Sequence, residues 1–396
     1  MYTNELHEAL LHKQGVAFWK CWKSKYENNN RPIIHVNGLS DANIIAERFA
    51  SHFSQACTAN TAAGNDRLRA EYARIRADYF CQPTELECDF DAELVELVIF
   101  KLKCGKAAGL DGLSAEHLLY SHPLLPCVLA KLFNMMVKCS YVPRSFGKSY
   151  TVPLLKNSCN VYGKSVTVDD FRGISISPVL SKVLEHCILD RHSSLFVTSD
   201  NQFGFKKQSG CSHAIYMLRC ITDYYVSAGS TVNICAIDVS KAFDKMNHYG
   251  LFIKLMQRCI PVNLLVLFEH WFSIGMTCVK WCNLWSSWYN LSCGIRQGGV
   301  LSPYLFAVYI DSLVDRVQTC GYGCYIRFIC VSILLYADDI LLVAPSVSSL
   351  QLLLHLCEKE LDWLDLSINV KNRRAYELDL DTMPNVSLLL HSVAEN

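Results

Sequence analysis

Ile333-Leu334-Leu335-Tyr336-Ala337-Asp338-Asp339-Ile340-Leu341-Leu342-Val343 is the stretch that decides the fold. Two adjacent carboxylates interrupt a largely apolar run from Val331 to Ala344. Burying both flanks around an ionised pair is costly unless the acids sit at a turn that presents them to cations. The stretch therefore predicts a hairpin over Ile333–Val343: strand, acidic turn, strand. Such a hairpin makes a platform for two metal ions, and paired ions drive phosphoryl and nucleotidyl transfer. Taken alone, Ala337-Asp338-Asp339 also reads as an ordinary solvated turn, so its surroundings must decide.

Upstream, Thr231–Val239 is β-rich and apolar and ends in Ile237-Asp238-Val239. A solvated acid fits poorly at the end of so apolar a run. Tyr304–Val317 reads as a helix and Leu350–Leu366 as an amphipathic helix with Leu, Cys and Trp on one face. Ser367–Val370 reads as short and extended, and Lys371-Asn372-Arg373-Arg374 is basic. Strand, helix, hairpin, helix, strand is the order of a ferredoxin-like split βαβ sheet, so the fold class is α+β. Asp238 and the Asp338-Asp339 pair are distant in sequence but both fall at strand ends, where neighbouring strands can bring them together. Unpaired, these acids would repel one another. Mg²⁺ needs only one or two carboxylates and takes its other oxygens from water and substrate phosphates.

The N-terminal half is mostly helical. Asp41–Cys57 and Asn65–Tyr79 read as amphipathic helices, Gln82-Pro83 as a boundary, and Asp91–Lys103 as a helix. Gly105–Gly112 is a loop of small residues without the Gly-Lys-Ser/Thr ending of a P-loop. Ser114 caps a helix to Tyr120. Leu124–Cys139 and Lys182–Phe196 read as helices and Tyr150–Leu155 as a strand. Phe18-Trp19-Lys20-Cys21-Trp22-Lys23 is an aromatic–basic cluster that either stacks on nucleic acid or packs its indoles on a neighbour.

Half of the 396 residues are hydrophobic, enough for a large core and more than one subdomain. Lys and Arg total 37, as do Asp and Glu, so any basic footprint for nucleic acid must be local. Twenty scattered cysteines show no disulfide framework. With no secretory signal recognised, a reducing nuclear or cytoplasmic setting is expected, and the protein is not expected to be secreted. Cys278, Cys282, Cys320 and Cys324 are too loosely spaced, with no histidine near, to predict zinc. No apolar run is long enough to predict a membrane span.

Five segments, in order, resemble reverse transcriptases. Ala236–His248 is similar to their motif A, Gly294–Pro303 to motif B and Tyr336–Asp339 to motif C. Phe171–Ile176 and Asn201–Lys206 resemble their fingers motifs. Gly105–Gly112 resembles an N-terminal motif of non-LTR, LINE-like retrotransposons. The likeness spans residues 96–371. It implies a right-hand polymerase: a helical N-terminal extension at 1–95, fingers at 96–230, a split βαβ palm at 231–375 and a divergent tail at 376–396. The family's primer grip and thumb have no counterpart after 375, so the thumb is expected to be missing.

The resemblance also implies roles. Asp238, Val239, Asp338 and Asp339 would form the metal shell for two Mg²⁺, with Mn²⁺ as a substitute. Phe243, five residues after Asp238, would be the steric gate against a 2′-hydroxyl, although a core aromatic would look the same. Gln297 and Gly298 would lie by the templating pair, and Arg172 would bind the triphosphate. Lys156 and Lys206 would assist there, and Lys371 would protonate the leaving pyrophosphate. Asp244 reads as structural. The implied partners are an RNA template, a DNA primer and dNTPs. The alternative is a truncated relic that folds, lacks activity and at most binds nucleic acid.

Overall fold

In the computed structural model, the residues described are 35–81, 90–156, 166–206 and 208–369, with the backbone of 374–378. The strands are β1 (Lys148–Leu155), β2 (Phe171–Ile176), β3 (Val232–Asp238), β4 (Met276–Trp281), β5 (Leu284–Trp285), β6 (Tyr289–Asn290), β7 (Tyr325–Ile326), β8 (Ile329–Cys330), β9 (Ile333–Tyr336), β10 (Asp339–Ala344) and β11 (Arg374–Leu378). They build two main sheets. One has the order β2-β1-β4-β5, with β6 also on β4; the other has the order β11-β3-β10-β9.

Both neighbours of β3 and the β9–β10 pair are antiparallel. Side chains alternate along these strands, so each face buries its own set. Cys235, Ile237, Ile333, Leu335, Ile340 and Leu342 join the main core. Val232, Ile234, Leu334 and Val343 face the opposite way, onto Leu218 and Ile221 of the helix Cys211–Ser227. Fully burying each such aliphatic side chain contributes about 1.5–3 kcal/mol. Helices cover both faces, which explains why the strands read as continuous apolar runs. β11 runs on to Leu378, past the expected palm limit at 375.

The first sheet is held by the helix Ala42–Ala56. Asp41 starts it by accepting from the Asn43 and Ile44 amides. Its buried stripe of Ile45, Phe49 and Phe53 packs on Phe171, Val279 and Trp281. The Phe49 ring meets Phe171 edge-on at 4.9 Å and Trp281 at 5.1 Å.

Two expected helices differ. Tyr304–Val317 divides into Ser302–Ile310 and Ser312–Thr319 around Asp311. The Asp311 carboxylate takes the Ser199 amide at 2.9 Å and the Arg258 guanidinium at 2.5 Å, fixing a joint that apolar periodicity cannot reveal. Lys182–Phe196 is the α-helix Val179–Arg191 followed by the 3₁₀ turn Ser193–Phe196. The other predicted helices of the N-terminal half lie within a few residues of expectation, and Ser114 makes a capping box with His117. Among the described residues no helix is long and apolar enough to cross a membrane.

Candidate active site

The register of the second sheet sets the site. Asp339 pairs across the ladder with Asp238 on one side and Tyr336 on the other. Directly opposed residues of an antiparallel pair share a face, with Cβ atoms about 4.5–5.5 Å apart, and like charges placed there destabilise the sheet. Ala337 and Asp338 form the two-residue turn between β9 and β10. Ala337 adopts φ +59°, a left-handed conformation.

Burial, first, and then repulsion from Asp338 and Asp238 push the Asp339 carboxyl up to about 7. Asp338 is also raised, chiefly by burial and then by Asp238, while the Arg172 charge pulls it back. Arg172 on β2 thus acts electrostatically on the acidic turn. Asp238 Oδ2 accepts from the Asn369 side chain at 2.9 Å, and its backbone oxygen accepts the Asn369 amide at 2.8 Å. Val239 bridges Ile368 in the same extended segment.

Among the described residues no group of three or more His, Cys, Asp or Glu side chains stands ready to hold a metal ion. The donors are nevertheless hard oxygens whose mutual repulsion a divalent cation would relieve.

The loop Gly294–Leu301 lies between β2 and the segment Phe243–Met246 that follows β3. Ser175 of β2 donates its amide to Gln297 O at 2.7 Å. Gly298, at φ +121°, leaves room for the Ser175 carbonyl, which an added Cβ would meet at 2.5 Å. Gln297 Nε2 donates to Asp244 Oδ1 at 3.1 Å, and Asp244 is raised by burial despite that bond. Glu185 is buried and accepts the Val300 and Leu301 amides at the start of the helix Ser302–Ile310. Phe243 is half-buried, stacked on Phe306 at 4.7 Å and edge-on to Phe205 at 5.8 Å.

Lys156 donates to Asp169 O at 2.8 Å, and Lys206 to Thr198 O and Ser199 O at 3.0 and 2.6 Å. Both ammonium groups are therefore engaged with backbone carbonyls. Lys371 and the Phe18–Lys23 cluster lie outside the described residues. Asn369 contacts Asp238 and Gln202 contacts Ala337, and neither was assigned a role from sequence. Asn369 carries no local signal, because its contact depends on an extended segment returning beside β3.

The chain belongs to the reverse transcriptase (RNA-dependent DNA polymerase) family, whose model matches residues 156–377, more than half its length. Among curated relatives, it is 26% identical over 242 residues to the Retrovirus-related Pol polyprotein from type-2 retrotransposable element R2DM of Drosophila melanogaster. That match covers 60% of this chain and 22% of the relative. It is 28% identical over 269 residues to the RNA-directed DNA polymerase from mobile element jockey of Drosophila funebris, covering 64% of this chain and 27% of that one. The chain thus spans about a quarter of the length of these relatives. A solved apo telomerase from Candida tropicalis, truncated from its C-terminal domain, aligns with TM-score 0.41 and 11% identity over 64% of this chain and 56% of that chain.

Proposed function

We propose that this chain is the fingers and palm of an RNA-directed DNA polymerase from a non-LTR retrotransposon, adding deoxynucleotides to a primer 3′ end along an RNA template. The observation that carries the reading is the pairing of Asp339 with Asp238 across the ladder, with Asp338 at the adjoining turn and under the influence of Arg172. In this reading the β11-β3-β10-β9 sheet is the split βαβ palm, and the strand order supports it.

Asp238, Asp338 and Asp339, with the Val239 carbonyl, would hold two Mg²⁺ or Mn²⁺ ions. When bound, these supply charge stabilisation at the transferring phosphoryl group. The protein's own part is positioning. Asn369 orients Asp238. Arg172 meets triphosphate oxygens, for which its planar fork is suited. Phe243 crowds the ribose 2′ position from a rigid aromatic stack. Gln297, held by Asp244, and Gly298 line the approach of the templating pair. Lys156, Lys206 and Lys371 keep the supporting roles the resemblance gives them.

The test is extension of a DNA primer annealed to RNA, with dNTPs and Mg²⁺, by the full chain and by the Asp338→Asn, Asp339→Asn double variant. Extension by the parent that the double variant loses is the expected result. A folded parent that binds template in a salt-sensitive way but never extends the primer would overturn the activity and leave the relic reading.

A further inference from the structure

The acidic turn has the wrong residue for its geometry. A two-residue hairpin turn with positive φ at its first central position is the type that favours glycine there. This chain places Ala337 at that position, with φ +59°. An L-residue in the left-handed region costs roughly 1–2 kcal/mol, so something nearby must hold the turn.

The segment around Gln202 does so. The Phe203 amide donates to Leu335 O, and the Leu335 amide to Asn201 O, both at 2.8 Å, laying the segment parallel to β9. Gln202 is 1% exposed. Its Oε1 accepts the Gly204 amide at 2.8 Å and the Ala337 amide at 3.2 Å, and its Nε2 donates to Ala337 O at 3.4 Å. One side-chain amide thus engages both backbone groups of the strained residue. The opposite amide orientation would set the NH₂ against two N–H donors, so the assignment is fixed by chemistry. Gly204 keeps the contact close: an added Cβ would clash with Ala337 N and lie 3.0 Å from Ala337 Cα.

We infer that Gln202 is a positioning residue for polymerisation, holding Ala337 in its left-handed conformation and so fixing the direction of Asp338. The inference rests on the polymerase reading for its kinetic consequence, but the clamp itself does not.

Gln202→Leu keeps the size and removes all three hydrogen bonds; Gln202→Met is a second variant whose flexible side chain refills the space. Either lowers kcat for primer extension about tenfold, equivalent to the cost of the left-handed residue. KM for dNTP stays within about twofold, since the turn acts on the reacting centre rather than on uniform binding. Glycine takes positive φ freely, so Ala337→Gly added to either variant restores kcat to the level of Ala337→Gly alone. A merely structural role predicts no such rescue. Failure of rescue, or a loss carried by KM, overturns the inference.

Hydrogen exchange of the Ala337 amide separates this result from the activity reading. If the parent never extends a primer, the activity reading fails; faster exchange in Gln202→Leu than in the parent still supports the clamp, and unchanged exchange overturns it.

Discussion

Gly298→Ala tests the close approach of the Gly294–Leu301 loop to β2. The residue sits at φ +121°, and an added Cβ would lie 2.5 Å from the Ser175 carbonyl oxygen, a backbone atom that cannot swing aside. Two costs combine. The backbone conformation costs a non-glycine residue about 1–3 kcal/mol. Forcing β2 away adds about 1–3 kcal/mol of overpacking. The Ser175 amide to Gln297 O bond, at 2.7 Å, is stretched by the same movement. A loss of about 4 kcal/mol is therefore expected, a large part of an ordinary domain's stability. Gly229→Ala is the comparison: it has φ +77° but nothing within 4 Å of the added Cβ. It pays only the backbone term, about 1–2 kcal/mol. Urea unfolding followed by tryptophan fluorescence measures both. Equal losses at the two glycines would refute the argument that close approach to β2 dictates glycine at 298.

Three further outcomes follow from the same geometry. His248 is held neutral, its pKa lowered by burial to about 4 although Nε2 donates to Gly294 O. Its folded pKa lies below the ordinary 6.5, so the unfolded chain takes the proton first as pH falls. The stability this confers is complete above pH 6.5 and is lost toward pH 4, at up to about 1.4 kcal/mol per pH unit, and His248→Gln should flatten that slope in unfolding measured across the window. Phe243→Val should raise ribonucleotide incorporation relative to deoxynucleotide in primer extension; an unchanged ratio would reduce Phe243 to the core aromatic its stack on Phe306 also describes. Asp311→Ala removes the carboxylate bound at 2.5 Å to the Arg258 guanidinium, which keeps its bonds to the Leu195 and Val197 carbonyls. It should cost about 1.5–3 kcal/mol in chemical unfolding, whereas a cost under 1 kcal/mol would mean the pair is effectively solvated.

The parts legible in the sequence are those written in local pattern. Asp338 and Asp339 stand out because they interrupt an apolar run, and Asp238 because it ends one. Helix starts at Asp41, Asp91 and Ser114 could be read from capping chemistry. What escaped is set by tertiary contact. The joint at Asp311 depends on Ser199 and Arg258, each far off in the chain. The helix His248–Gln257 buries seven consecutive residues, Gly250 to Met256, which erases the one-sided stripe that marks an amphipathic helix. Gln202 and Asn369 look like any loop amides until the strands they touch are in place. Phe243 shows the converse: the resemblance to motif A implies a gate, while its ring contacts describe a core residue equally well.

The order in which the β11-β3-β10-β9 sheet is assembled has a consequence for synthesis. β3 leaves the ribosome long before β10 and β11, yet both of its edges are closed only by those later strands. Pairings so distant in sequence carry a large loop-closure cost and slow folding. Until they form, β3 presents an apolar strand with unpaired amides on either side, a template for association with other chains. Nascent chains stalled before residue 374 should therefore aggregate or recruit chaperones far more than chains released after Leu378, and the rate at which this sheet matures should follow the arrival of β11.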